Sequence, residues 1–116
     1  MASRDAVSDL IRGNIDAIIL KTLTKGDIYG YEILKSIGTA SLGEYEMKEP
    51  SLYTSLKRLE GQKFVESFWG NETQGARRKY YRLTDAGAQE LVEATERWER
   101  VRGIIDRLLI MDGSEQ

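Results

Sequence analysis

The 116-residue chain contains no cysteine and no histidine, and its only proline is Pro50. Without cysteine there are no disulfides, no thiolate metal ligands and no sulfur nucleophile. Without histidine the commonest general base at neutral pH is missing, and with it go the serine-histidine-aspartate triad and the usual zinc sites. Both absences weigh against catalysis. Long apolar runs are lacking too. Ala17-Ile18-Ile19-Leu20 falls far short of the roughly 20 residues that cross a bilayer, and Met1-Ala2-Ser3-Arg4-Asp5 leads into no signal-type apolar core. The expectation is a cytoplasmic protein with no membrane partner.

What is present is the balance of one folded domain, 41% hydrophobic and 31% charged, rather than that of a disordered or fibrous chain. A domain this small buries only about 60–70% of its unfolded surface. An apolar stripe in excess of the core therefore points to a subunit contact. The net charge of -2 is unevenly spread: residues 48–83 hold eight basic side chains against four acidic ones, so a +4 middle sits in an acidic frame of -6. Such a distribution suits a nucleic-acid surface, because phosphate contacts release counterions. The same imbalance arises often enough as scatter in ordinary domains.

Hydrophobic spacing divides the chain into elements. Val7, Leu10, Ile11, Ile15, Ile18, Ile19 and Leu23 recur at helical steps and predict a first helix ending before Lys25-Gly26-Asp27. Asp27 is placed to cap a second helix marked by Tyr29, Tyr31, Ile33, Leu34 and Ile37. Glu44-Tyr45-Glu46-Met47 alternates like a strand but is too short to assign to a sheet. Glu49-Pro50-Ser51 opens a third helix, with proline in the first turn where its missing N–H does no harm. Leu52, Leu56 and Leu59 share its core side, and the helix ends at Gly61 or Lys63. Two β-prone segments, residues 64–69 and 79–83, flank the polar tip Gly70 to Ala76 and predict a hairpin. Thr84 caps a final helix running through Ile110, and Asp112 to Gln116 are expected to fray.

Along that last helix Leu91, Ala94, Trp98, Val101, Ile105 and Leu108 alternate steps of three and four, the seam of a coiled coil. At 1.5 Å per residue the helix would be roughly 40 Å long, more than this core can cover. Either a second copy of the chain or the first helix of the same chain covers the seam. The fold expectation is mainly α with a small β-hairpin: a winged helix-turn-helix over residues 1–83, followed by a dimerisation helix and short tail over 84–116.

In that arrangement the third helix reads DNA. Pro50, Ser51, Tyr53, Thr54, Lys57 and Arg58 would lie near phosphates or base edges. The wing adds Gly75, Arg77, Arg78 and Lys79 where the loop returns into its strand. Tyr53 could instead face the core, and Lys57-Arg58 could be a solvated basic pair. Tyr80 and Tyr81 should point to opposite faces of the hairpin.

Pro50-Ser51-Leu52-Tyr53-Thr54-Ser55-Leu56-Lys57-Arg58-Leu59-Glu60, then Trp69, then Gly75 through Gly87, together with Tyr29-Gly30-Tyr31-Glu32-Ile33, resemble the PadR family of bacterial transcriptional regulators nearly end to end. The single C-terminal helix with Trp98 near its middle is similar to the small, multidrug-sensing branch typified by LmrR. The resemblance implies a homodimer that represses transcription at a two-fold symmetric operator in double-stranded DNA, with no cofactor. It also implies that planar aromatic small molecules stack between paired tryptophans. Trp98 would then form the wall, with Asn14, Ala17, Ile18 and Lys21 of the first helix and Leu91, Ala94 and Arg102 of the last around it. Trp98 as an ordinary packed dimer residue, in a DNA-binding or protein-interaction module without an effector, is the alternative. Lys21 and Arg102 leave the charge of any ligand open. The family usually has glycine where Lys63 stands, so the end of the third helix is expected to be built differently. An enzyme using Glu44, Glu46 and Glu49 is the weakest reading, since no cofactor motif accompanies these acids.

Overall fold

A computed structural model of the chain describes residues 4–72 and 75–111. The tail from Asp112 and the loop positions Thr73 and Gln74 lie outside the described residues, so the expected frayed end is not among them. The first apolar series forms two helices rather than one. α1 (Arg4–Ile11) and α2 (Ile15–Thr22) are joined by a 3₁₀ turn at Arg12–Asn14, centred on Gly13, a residue that weakens a helix interior. α2 buries Ile19 and Leu20, whereas α1 leaves Leu10 84% exposed.

Asp27 does not cap the next helix. Ile28–Tyr29 form a short strand, β1, and α3 (Gly30–Ala40) starts directly behind it with the extended residue Tyr29 at its N-cap. Asp27 instead accepts a two-pronged bond from Arg82, at 2.8 Å from Nη2 and 3.2 Å from Nε. Residues 44–47 show the alternation the sequence predicts, with Tyr45 and Met47 buried, but they join no sheet.

α4 (Glu49–Gly61) starts at Pro50 and turns Leu52, Leu56 and Leu59 into the core. Its end closes with paired reverse bonds, Phe64 N to Leu59 O and Lys63 N to Glu60 O, both 3.0 Å, and with Lys63 at φ 66°. This left-handed closure is the one glycine usually supplies. The expectation of a different helix end is thus corrected: the backbone keeps the glycine-type turn and lysine carries its strain.

The hairpin of β2 (Val65–Trp69) and β3 (Lys79–Leu83) gains a third strand, giving an antiparallel sheet in the order β1-β3-β2. Tyr81 faces the core, and Tyr80 lies on the opposite face between Tyr29 and Phe68, at ring-centroid distances of 5.6 and 5.8 Å. The core joins Ile19 and Leu20 of α2, Ile33 and Ile37 of α3, the three leucines of α4, and Val65 and Tyr81 of the sheet.

α5 (Asp85–Ile105) follows Thr84, whose hydroxyl accepts from Gly87 N at 3.0 Å, and passes into a wider π turn at Asp106–Ile110. Gly87 is required by packing: a Cβ there would strike the Phe64 carbonyl oxygen and lie 2.8 Å from Leu83 Cδ1. α2 lies against α5, whose Leu91 packs against the core. The molecule measures 64 × 32 × 21 Å, and the far end of α5 leaves Val101, Ile104 and Ile105 exposed.

Candidate nucleic-acid interface

α4 divides its residues by face. Leu52, Ser55, Leu56 and Leu59 are buried, while Pro50, Ser51, Tyr53, Thr54, Lys57 and Arg58 are exposed. Tyr53 settles between its two alternatives. The residue is 43% exposed, yet its hydroxyl lies over the start of α3, where a Cβ on Gly30 would collide with it. Glycine at position 30 therefore lets the outer side of α4 approach the N-terminus of α3.

The two basic residues of α4 differ in their commitments. Among the described residues no ion pair involves Lys57. Arg58 is held by Asp16 of α2 through Nε at 3.0 Å and Nη2 at 2.7 Å, and it also donates to Ser55 Oγ at 3.1 Å. The Asp16 carboxylate raises the Arg58 pKa further above its ordinary value. Arg58 thus braces α4 against α2 and gives the buried Ser55 hydroxyl a partner. Nothing in local sequence announces a partner 42 residues away.

On the wing, Gly75, Arg77, Arg78 and Lys79 are all exposed. The strand ends are closed by Gly70 N to Arg78 O at 2.8 Å and by Arg77 Nε to Gly70 O at 3.1 Å. Arg78 places its guanidinium carbon 4.5 Å from the centre of the Tyr29 ring. Tyr80 donates its hydroxyl to Glu72 Oε1 at 2.9 Å. Hydrogen bonds from the backbone of Glu72 and from Tyr80, together with the nearby Arg78, lower the Glu72 pKa, and the same bond raises that of Tyr80. Arg82 lies 4.7 Å over Phe68 and is also bound to Asp27, so its charge is already compensated.

The residues named for a ligand chamber are only partly assembled by one chain. Asn14, Ala17, Ile18, Leu91 and Ala94 are half-buried, whereas Lys21 and Arg102 are exposed. The seam splits the same way. Its first two positions, Leu91 and Ala94, are half-buried, and beyond them Trp98 is 43%, Val101 45%, Ile105 44% and Leu108 77% exposed. Ile104, Leu109 and Ile110 add to this open apolar end. Among the described residues no helix is long and apolar enough to cross a membrane, and no cluster of acidic side chains could hold a metal ion.

Residues 19–93 match the model of the family described as the transcriptional regulator PadR-like family. The chain is 41% identical over 108 residues to an uncharacterised protein X of Lysinibacillus sphaericus, covering 93% of this chain and 97% of that one. Among solved structures, a transcriptional regulator from Clostridium thermocellum superposes with a TM-score of 0.82 at 41% identity, over 88% of this chain and 99% of the other. Bacillus subtilis PadR, solved in complex with operator DNA, superposes with a TM-score of 0.60 at 32% identity, over 68% of this chain and 45% of that one.

Proposed function

Because the chain belongs to the PadR-like family of transcriptional regulators, we propose that it is a homodimeric repressor that binds a two-fold symmetric operator and responds to planar hydrophobic molecules. α4 enters the major groove with Ser51, Tyr53, Thr54 and Lys57, and the cations of the wing, Arg77, Arg78 and Lys79, engage the flanking backbone. Arg58 is not part of this surface, because Asp16 holds it.

One observation carries the reading: α4 and the wing are joined by a run of contacts. The Tyr53 hydroxyl lies on Gly30, the preceding residue is Tyr29, and the Tyr29 ring carries Arg78. A polar helix face and a fixed cation are thereby presented together. Bacillus subtilis PadR, which shares this fold, was solved with operator DNA, and that likeness supports the same partner here.

The second copy is assigned to the open end of α5. Full burial of an aliphatic side chain contributes roughly 1.5–3 kcal/mol, so covering even part of Val101, Ile104, Ile105 and Leu108 contributes several kcal/mol per subunit. Two Trp98 rings brought together there would form a wall for flat ligands, with Leu91, Ala94 and Arg102 beside them.

Fluorescence anisotropy with duplex DNA tests the DNA-binding reading. Replacing Arg77 and Arg78 together by alanine removes four cations per dimer. The slope of log affinity against log salt should become shallower by roughly 2–4; an unchanged slope contradicts the placement of the wing. Dye quenching tests the effector. Trp69→Phe should keep the quenching and Trp98→Ala should abolish it, and quenching that survives Trp98→Ala removes the chamber from the account.

A further inference from the structure

The wing holds two arginines over aromatic rings, and the two are not equivalent. Arg82 sits over Phe68 and is also bound by Asp27 at 2.8 Å. Arg78 sits over Tyr29 beside the Tyr80 hydroxyl and the Glu72 carboxylate, whose field its charge already feels, but among the described residues it forms no direct ion pair. A carboxylate pair consumes the charge that a phosphate would need. A ring face orients a guanidinium while leaving its charge and its N–H edges available for bidentate phosphate bonds.

Tyr29 is well placed for such a role. It belongs to β1 and is paired in register with Tyr80 of β3, so its backbone is fixed by the sheet. Its ring is held edge-on to the Tyr80 ring. The next residue, Gly30, supports the Tyr53 hydroxyl from α4. A two-residue strand thus has the reading helix on one side and the wing cation on the other.

We propose that Tyr29 is a positioning residue for DNA binding, whose ring holds the Arg78 guanidinium in the orientation that meets a backbone phosphate. The proposal rests on the DNA-binding reading above. A long arginine side chain loses rotamer freedom when it binds phosphate, and a ring that restricts it beforehand removes part of that cost.

The test is a double-mutant cycle on DNA affinity with the full-length protein, using Tyr29→Leu, Arg78→Ala and their combination, with Tyr29→Phe as the conservative variant. An exposed cation–π contact of about 0.5–1 kcal/mol corresponds to about two- to fivefold at 1.4 kcal/mol per tenfold. Two wings per dimer multiply this to about 4- to 25-fold. Tyr29→Leu should weaken binding by that factor when Arg78 is present and leave it unchanged in the Arg78→Ala background. Tyr29→Phe, which keeps the ring, should bind like the parent. An equal loss in both backgrounds shows that Tyr29 acts through the fold and overturns the proposal, as does no loss at all. If the parent protein binds no duplex DNA, the DNA-binding reading itself fails and this proposal falls with it. If the parent binds and the cycle shows no coupling, only the role of Tyr29 is lost.

Discussion

The Thr84 hydroxyl donates to the Lys63 carbonyl oxygen at 2.8 Å while accepting from Gly87 N at 3.0 Å. One side chain therefore caps α5 and fastens it to the turn that ends α4. The Thr84 backbone N–H adds a bond to Phe64 O at 3.1 Å. The helix assigned to the second copy and the helix assigned to DNA are mechanically joined at this point.

Replacing Thr84 by valine keeps the shape and removes both side-chain bonds. Losing an N-cap costs about 0.5–2 kcal/mol, and losing the second bond brings the total to about 1–3 kcal/mol. Chemical denaturation should show this loss for Thr84→Val, and Thr84→Ser should stay within about 0.5 kcal/mol of the parent. An unchanged midpoint for Thr84→Val would show that the fastening carries no energy.

Lys63 occupies the left-handed region at φ 66°, which costs a non-glycine residue about 1–2 kcal/mol. Glycine relieves that strain but loses roughly 0.5–1 kcal/mol through its more flexible unfolded state. Lys63→Gly is therefore expected to gain up to about 1 kcal/mol, read as a higher unfolding midpoint. A clear drop would place a structural role in the lysine side chain.

Acid should weaken the junction of β1 with the wing. The hydrogen bond from Arg82 lowers the Asp27 pKa below its ordinary 3.8. A carboxyl with a depressed folded pKa adds stability above the unfolded value, and that stability is lost as pH falls through the folded value. Stability should therefore decline below about pH 4, with Glu72, also depressed, contributing to the same decline. In Arg82→Gln the acid slope should be shallower but not flat. Denaturation midpoints across that range measure it, and identical slopes would contradict the pairing.

The adjacent Lys57 and Arg58 should separate cleanly. Lys57→Ala should leave stability within about 0.5 kcal/mol and make the salt slope of DNA binding shallower by roughly 2 per dimer. Arg58→Ala removes a half-exposed ion pair worth about 0.2–1 kcal/mol and leaves the Ser55 hydroxyl short of a partner, so its effect belongs to stability. Equal effects of both substitutions on DNA binding would return Arg58 to the interface.

Much of this organisation is legible in sequence because its causes are local. Pro50, the leucine spacing of α4 and the Thr84 cap each act within one or two turns, and the opposite faces of Tyr80 and Tyr81 follow from strand alternation. What is not legible depends on partners far along the chain. β1 exists only because Ile28 and Tyr29 pair with Tyr81 and Tyr80, and two residues give no periodicity to find. Asp27 resembles a cap but is taken by Arg82, and Asp16 pairs with Arg58 on the exposed face of α4. The break at Arg12–Asn14 is hidden by an apolar series that continues in helical steps on both sides of Gly13. The burial alternation at residues 44–47 is correct, but alternation alone supplies no neighbouring strand.

The central claim is that two copies present two α4 helices and two wings to one duplex. Selection of bound sequences from a random duplex library tests it most directly. The account predicts an inverted repeat with half-sites about one helical turn, roughly 34–36 Å, apart. Enrichment of a single unsymmetric half-site, or of no sequence at all, would contradict it.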